Sequence, residues 1–203
     1  MGYLLPAEYA EFGLSAETSD AWVKAASAMM EAYCRRPTLN VTSYTERMRV
    51  PLTSHTVRLS YGPLVSVDAV KARYARPNRR EEMCGDFALQ CYFASAFGLP
   101  GQWTTVDPAT LDVSLTTAEF SFAYNVMALC YSEAEVTYTS GLATIPDAVK
   151  VACAQVVKNA QATPGFNVKA SKLDSLQTQY FSGSVIDAQV ASLLRPYVAE
   201  RLG

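Results

Sequence analysis

The hydrophobic period of this chain runs from helical to two-residue and back to helical, which limits the folds it can adopt more than any other feature. From about Thr18 to Cys34, Trp22, Ala25, Ala26, Met29 and Tyr33 recur at helical spacing. A helix is predicted there, capped by Ser15 or Ser19 and ended by Arg35, Arg36 and Pro37, with that apolar stripe as its packed face. From Leu39 the period becomes two. Val41, then Met48 and Val50, then Val57, Leu59 and Tyr61 alternate with polar neighbours, broken by the turn-forming stretch Pro51 to His55 and by Gly62-Pro63. This pattern predicts an antiparallel hairpin followed by a third strand, Leu64 to Tyr74, with a bulge near Asp68.

Alternation returns at Glu133 to Thr139, with Ala134, Val136 and Tyr138 on one face of a strand. Ser140-Gly141 turns the chain, and Ile145-Pro146-Asp147 opens a second helix whose buried stripe is Val149, Ala152, Cys153, Val156, Val157 and Ala160. A polar linker follows Pro164-Gly165. The last helix, about Val185 to Leu194, carries Ile186, Val190, Leu193, Leu194 and Tyr197, and Pro196 ends it. Residues 75–132 mix polar, alanine-rich, aromatic and threonine-rich stretches and read as mostly β. The predicted class is therefore α+β: a small helical core (N-terminal helix, helix after Pro146, C-terminal helix) with an antiparallel β element and a β-rich insertion. Residues 1–74 and 133–203 form the core in this reading, and 75–132 form an insertion able to project from it.

With 203 residues, half of them hydrophobic, the chain can bury a sizeable core. Only 18% of residues are charged, against about 25% in an ordinary soluble domain, which suits a subunit with large protein contacts. The run Phe120 to Leu129 is far short of the ~20 residues that cross a bilayer, and the first residues carry no basic-then-apolar signal, so no membrane anchor and cytoplasmic synthesis are expected. The net charge of −2 is unevenly spread: residues 1–80 carry +4, residues 150–203 carry +3, and residues 81–149 hold nine acids and no base. Such a block shapes an electrostatic field rather than a fold.

Catalytic chemistry finds little to use. His55, the single histidine, lies in a predicted loop, so a serine or cysteine hydrolase would have to depend on it. Phosphate-loop motifs are missing, and the five cysteines (Cys34, Cys84, Cys91, Cys130, Cys153) have neither disulfide nor zinc spacing. Free buried thiols are expected, with no catalytic residue, metal or cofactor. The carboxylate pairs Glu81/Glu82 and Glu133/Glu135 read as solvated faces. Lys71, Arg73, Arg76, Arg79 and Arg80 form a basic cluster closed off by Glu81 and Glu82. Its arginines suit intersubunit salt bridges to a neighbour's acidic block better than a nucleic-acid patch; a DNA-binding module is the alternative use.

Four segments, in order, resemble the head-to-tail connector (adaptor, or head-completion) family of tailed phages. They are the helix Ala25-Ala26-Ser27-Ala28-Met29-Met30-Glu31-Ala32-Tyr33-Cys34-Arg35-Arg36; Leu59-Ser60-Tyr61-Gly62-Pro63-Leu64-Val65-Ser66-Val67; Val136-Thr137-Tyr138-Thr139-Ser140-Gly141-Leu142 leading to Ile145-Pro146-Asp147-Ala148-Val149-Lys150; and Lys172 to Tyr180 followed by Val190-Ala191-Ser192-Leu193-Leu194-Arg195-Pro196-Tyr197. The likeness spans roughly residues 18–74 and 133–198. It departs at Arg35, where the family often has a small residue, and at Asp174-Ser175, where a glycine-acid pair is common. The resemblance implies a structural virion protein: a dodecameric ring under the portal protein, joined to a tail-terminator or tail-tube protein, with genomic DNA passing through its channel. It also implies portal docking through the C-terminal segment, here Leu193, Leu194, Arg195 and Tyr197. A tail-terminator or other tail-tube ring subunit is the alternative within the same class.

Overall fold

The computed structural model describes residues 2–51, 54–74, 92, 95–98, 101–123, 131–162, 170–173, 176–179 and 185–199. In chain order its helices and strands are α1 (Asp20–Tyr33), β1 (Thr42–Arg49), β2 (Thr56–Arg58), β3 (Leu64–Tyr74), β4 (Trp103–Val106), β5 (Asp112–Ser114), β6 (Glu119–Ser121), β7 (Tyr131–Ser140), α2 (Asp147–Ala162), β8 (Ala170–Leu173), β9 (Leu176–Gln179) and α3 (Ala188–Leu194). The class is α+β, as expected. The chain divides into two compact units: a helical one, residues 1–39 and 143–199, and a β one built on residues 40–142.

In the helical unit, α2 packs against both α1 and α3. Ser19 caps α1 by accepting a hydrogen bond from the Ala21 amide, and Asp187 caps α3 by accepting from Val190. The buried stripe of α2 contains Val149, Ala152, Cys153, Val156 and Val157, as the spacing predicts. The stripe of α1 is a correction. Val23, Ala26, Ser27 and Met30 are buried, while Trp22, Met29 and Tyr33 are exposed. Both sets recur at helical spacing, and large size drew the expectation to the outer one. The residues before α1 explain which face wins. The Tyr3 amide donates to Ser27 Oγ and the Tyr3 hydroxyl to Glu31, so the N-terminal segment lies along the inner side of the helix. A second correction lies in the polar linker, which contains the antiparallel hairpin β8–β9, with Ala170 opposite Gln179 and Leu173 opposite Leu176. Asp174 and Ser175 lie outside the described residues.

In the β unit, a four-stranded antiparallel sheet has the order β1-β7-β3-β4 and a three-stranded one the order β2-β6-β5. The strand Leu64 to Tyr74 and its bulge stand as predicted, with a register shift against β7 between Val67 and Ala69. The predicted hairpin does not form: β1 pairs with β7 and β2 with β6. Alternation reports which face of a strand is buried but not which neighbour it meets. The core of this unit joins Val70, Ala72, Ala134, Val136 and Tyr138 from the larger sheet to Val57, Phe120 and Phe122 from the smaller one and its flank. β3 is bonded to β7 on one side and to β4 on the other, so strands from residues 101–121 are built into the same unit as β1–β3.

Candidate functional site

The outward face of the four-stranded sheet carries a row-by-row set of charged side chains. Strand alternation puts Arg47 and Arg49 of β1, Lys71 and Arg73 of β3, Glu133 and Glu135 of β7 and Trp103 of β4 on the side away from the core. The register arranges them in rows. One runs Arg49, Glu133, Arg73, Trp103 across the four strands; the next runs Arg47, Glu135, Lys71, Thr105. Glu133 accepts from Arg73 at 2.5 Å and from Arg47 at 2.6 Å, and Lys71 lies 3.7 Å from Glu135. The Arg73 guanidinium, with that of Arg47 in support, holds the Glu133 carboxyl below the ordinary carboxylate range. Both guanidiniums also approach the Trp103 ring, at 5.2 and 5.1 Å from its centre. The result is an alternating-charge surface with an aromatic end.

The expected site residues fall in three groups. Arg73, read as an intersubunit residue, engages Glu133 of its own chain. Arg76, Arg79 and Arg80 lie outside the described residues. At the C-terminal end, Leu194 is fully buried, at 0% exposure, in the helical core, so as the chain stands it offers no surface to a partner. Arg195 is exposed, and Leu193 and Tyr197 are half-buried. His55 sits in the link between β1 and β2 with a positive φ of 53°, and its carbonyl accepts from the Phe122 amide, a role in the turn's backbone.

The two described thiols behave as small hydrophobes, and Cys84, Cys91 and Cys130 lie outside the described residues. Cys34 and Cys153 are buried and free, and burial pushes each up to about 11, well away from a reactive thiolate at neutral pH. Among the described residues no cluster of histidine, cysteine and carboxylate side chains could hold a metal ion. No described helix is long and apolar enough to cross a membrane.

Sequence reasoning took one exposed surface for a packed face. The outer side of α1 exposes Ala21, Trp22, Ala25, Ala28, Met29, Ala32 and Tyr33, while its charged residues, Asp20, Lys24 and Glu31, share one narrow strip. The signal was present as an apolar arc too wide for one packed face.

No family model matches the chain, and no curated protein does. Among solved structures, the fold is similar to that of a chain in the "Neck of empty GTA particle computed with C6 symmetry", with a TM-score of 0.50 and 15% sequence identity, over 98% of this chain and 91% of that one.

Proposed function

We propose that this chain is a non-enzymatic structural subunit of the neck of a tailed, phage-like particle, a head-to-tail connector (adaptor) ring subunit between portal and tail. The observation that carries this reading is the likeness of fold over nearly the whole length to a neck chain. The ordered segments that resemble the connector family support it independently, because they lie in both units: the α1 and α2 segments in one, β3 and β7 in the other. The low charge fraction and the uncharged outer side of α1 suit a subunit surrounded by other protein chains. In this reading the location is the virion, the partners are further copies of the chain, the portal and a tail-terminator or tail-tube protein, and genomic DNA traverses the ring.

The sixfold symmetry applied to the similar particle accommodates a twelve-copy ring and a six-copy ring alike. A six-copy tail-terminator or other tail-tube ring subunit is therefore the second reading. Negative-stain electron microscopy of the purified protein, alone and mixed with the cognate portal, separates the two. Twelvefold rings, or added density on the tail-facing end of the portal, establish the connector role. Sixfold rings that ignore the portal and cap a tail tube establish the other.

A further inference from the structure

A closed ring needs two different, complementary surfaces on every copy, one presented to each neighbour. The four-stranded sheet carries such a pair at its two edges. Beyond β1 on one side and β4 on the other, no backbone hydrogen bond continues the sheet among the described residues. β1 pairs with β7 without a break from Thr42 to Arg49, and its sequence holds no proline, so neither a bulge nor a missing amide blunts that edge. The strand count matters too. With four strands all antiparallel, β1 and β4 run in opposite directions. A second copy added head to tail then lays its β4 antiparallel to β1 and keeps the same face of the sheet toward the core. The three-stranded sheet lacks this property, because its edges β2 and β5 run the same way.

We infer that the copies of this chain join edge to edge, β1 of one copy pairing with β4 of the next, so that the larger sheet continues from subunit to subunit. The inference rests on the ring reading proposed above and names the surface by which the ring closes. Its chemistry is complementary. Continuing the row Arg49, Glu133, Arg73, Trp103 brings the next copy's Trp103 beside Arg49. Arg49 has no ion-pair partner among the described residues, and Trp103 is 37% exposed. Trp103 already accepts two guanidiniums within its own chain, and Arg49 adds the same contact across the junction. The charge of the linked edge segments agrees: residues 42–58 hold Arg47, Arg49 and Arg58 against one acid, Glu46, whereas residues 101–118 hold Asp107 and Asp112 and no base.

The decisive test is a disulfide that only the assembly can form. Within one chain positions 49 and 103 are three strand spacings apart, about 14 Å, beyond the roughly 7 Å between α-carbons that a disulfide tolerates. The full-length double variant Arg49→Cys/Trp103→Cys, oxidised after assembly, is expected to give a ladder of covalent multimers on a non-reducing denaturing gel. The single variants should give none. Hydrogen exchange of the unmutated protein supplies a second readout, with slowed exchange across Thr42–Arg49 and Trp103–Val106 on assembly. Rings by microscopy with no ladder and no protection at these strands overturn the edge pairing and leave the ring standing. Covalent dimers from Arg49→Cys alone overturn it in favour of a symmetric β1 to β1 contact. A wild-type chain that never multimerises, alone or on the portal, overturns the ring reading and the edge pairing with it.

Discussion

In the helical unit the buried faces of α1, α2 and α3 are mostly small and aliphatic, with Val23, Ala26, Met30, Val149, Ala152, Val156, Val157 and Val190, and Tyr3 and Tyr9 are buried in the same unit; in the β unit Phe120, Phe122 and Tyr138 are part of the core. In the helical unit Ser27 Oγ donates to the Val23 carbonyl of its own helix and accepts from the Tyr3 amide, 24 residues earlier. The β unit likewise binds distant segments together. The Tyr138 hydroxyl donates to Glu46 across β7 and β1, and burial, with that carboxylate beside it, raises the phenol out of reach of ordinary titration. Stability in the first unit therefore depends on how well small side chains fill space, and in the second on a few large rings and charge pairs. The two tryptophans are distributed one to each unit, Trp22 and Trp103. Single-tryptophan variants made with Trp22→Phe or Trp103→Phe thus give each unit its own fluorescence report.

The largest effect is expected from Phe120→Ala, which removes a buried ring from the β core and should cost about 3–5 kcal/mol. In urea titration the Trp103 transition should move strongly while the Trp22 transition moves less; equal shifts would mean that the units unfold as one. Next come the adjacent methionines of α1. Met30 is 0% exposed and Met29 is 37% exposed. Met30→Ala should cost about 2–5 kcal/mol on the Trp22 transition, and Met29→Ala within about 0.5 kcal/mol. Comparable losses would show that the outer side of α1 is packed in solution. Gly141→Ala follows. Gly141 has φ of 135°, and a Cβ there would collide with the backbone of Asn40 and Val41, where Asn40 and Leu142 bridge in parallel. A cost of about 1–3 kcal/mol on the Trp103 transition is expected.

These pairs also show why parts of the fold were legible in the sequence. Alternation in β7 has two possible answers, and Ala134, Val136 and Tyr138 against Glu133, Glu135 and Thr137 leave only one. In α2, Asp147, Lys150 and Lys158 mark the outer side, so its stripe was readable as well. The helix α1 has few such markers, and its large residues lie on the exposed side. Its inner side is chosen by Tyr3, which bonds to Ser27, 24 residues away, a contact that local periodicity does not encode. The same holds for strand pairing: β1 and β2 are neighbours in sequence, yet each bonds to a strand at least 61 residues away, Arg58 to Glu119 in the nearest case. The candidate surface was half legible. Arg73 and the Glu133/Glu135 pair drew attention as charges, but their meeting within one chain follows from the β3–β7 register, and Trp103 joins them only through β4.

The smallest effect is the most specific to the β unit, because it isolates one carboxylate. Glu133 accepts from Arg73 and Arg47, and its folded-state pKa lies below the 4.5 of the free group. A depressed carboxylate contributes stability that is fully present above its unfolded pKa and is lost as pH falls through the folded value. The sign is therefore fixed: acid weakens the β unit, and Glu133→Gln weakens it at pH 7 without adding to the loss in acid. In urea titrations on the Trp103 report, the gap between wild type and Glu133→Gln should be widest near neutrality and narrow as pH is lowered below about 4.5. On the Trp22 report, the substitution should leave the pH dependence of the helical unit unchanged, since its depressed carboxyls, Glu8 beside Lys150 and Asp187 at the α3 cap, remain in place. A gap that stays constant with pH would mean that Glu133 holds its arginines by geometry alone, with its charge contributing nothing to the fold.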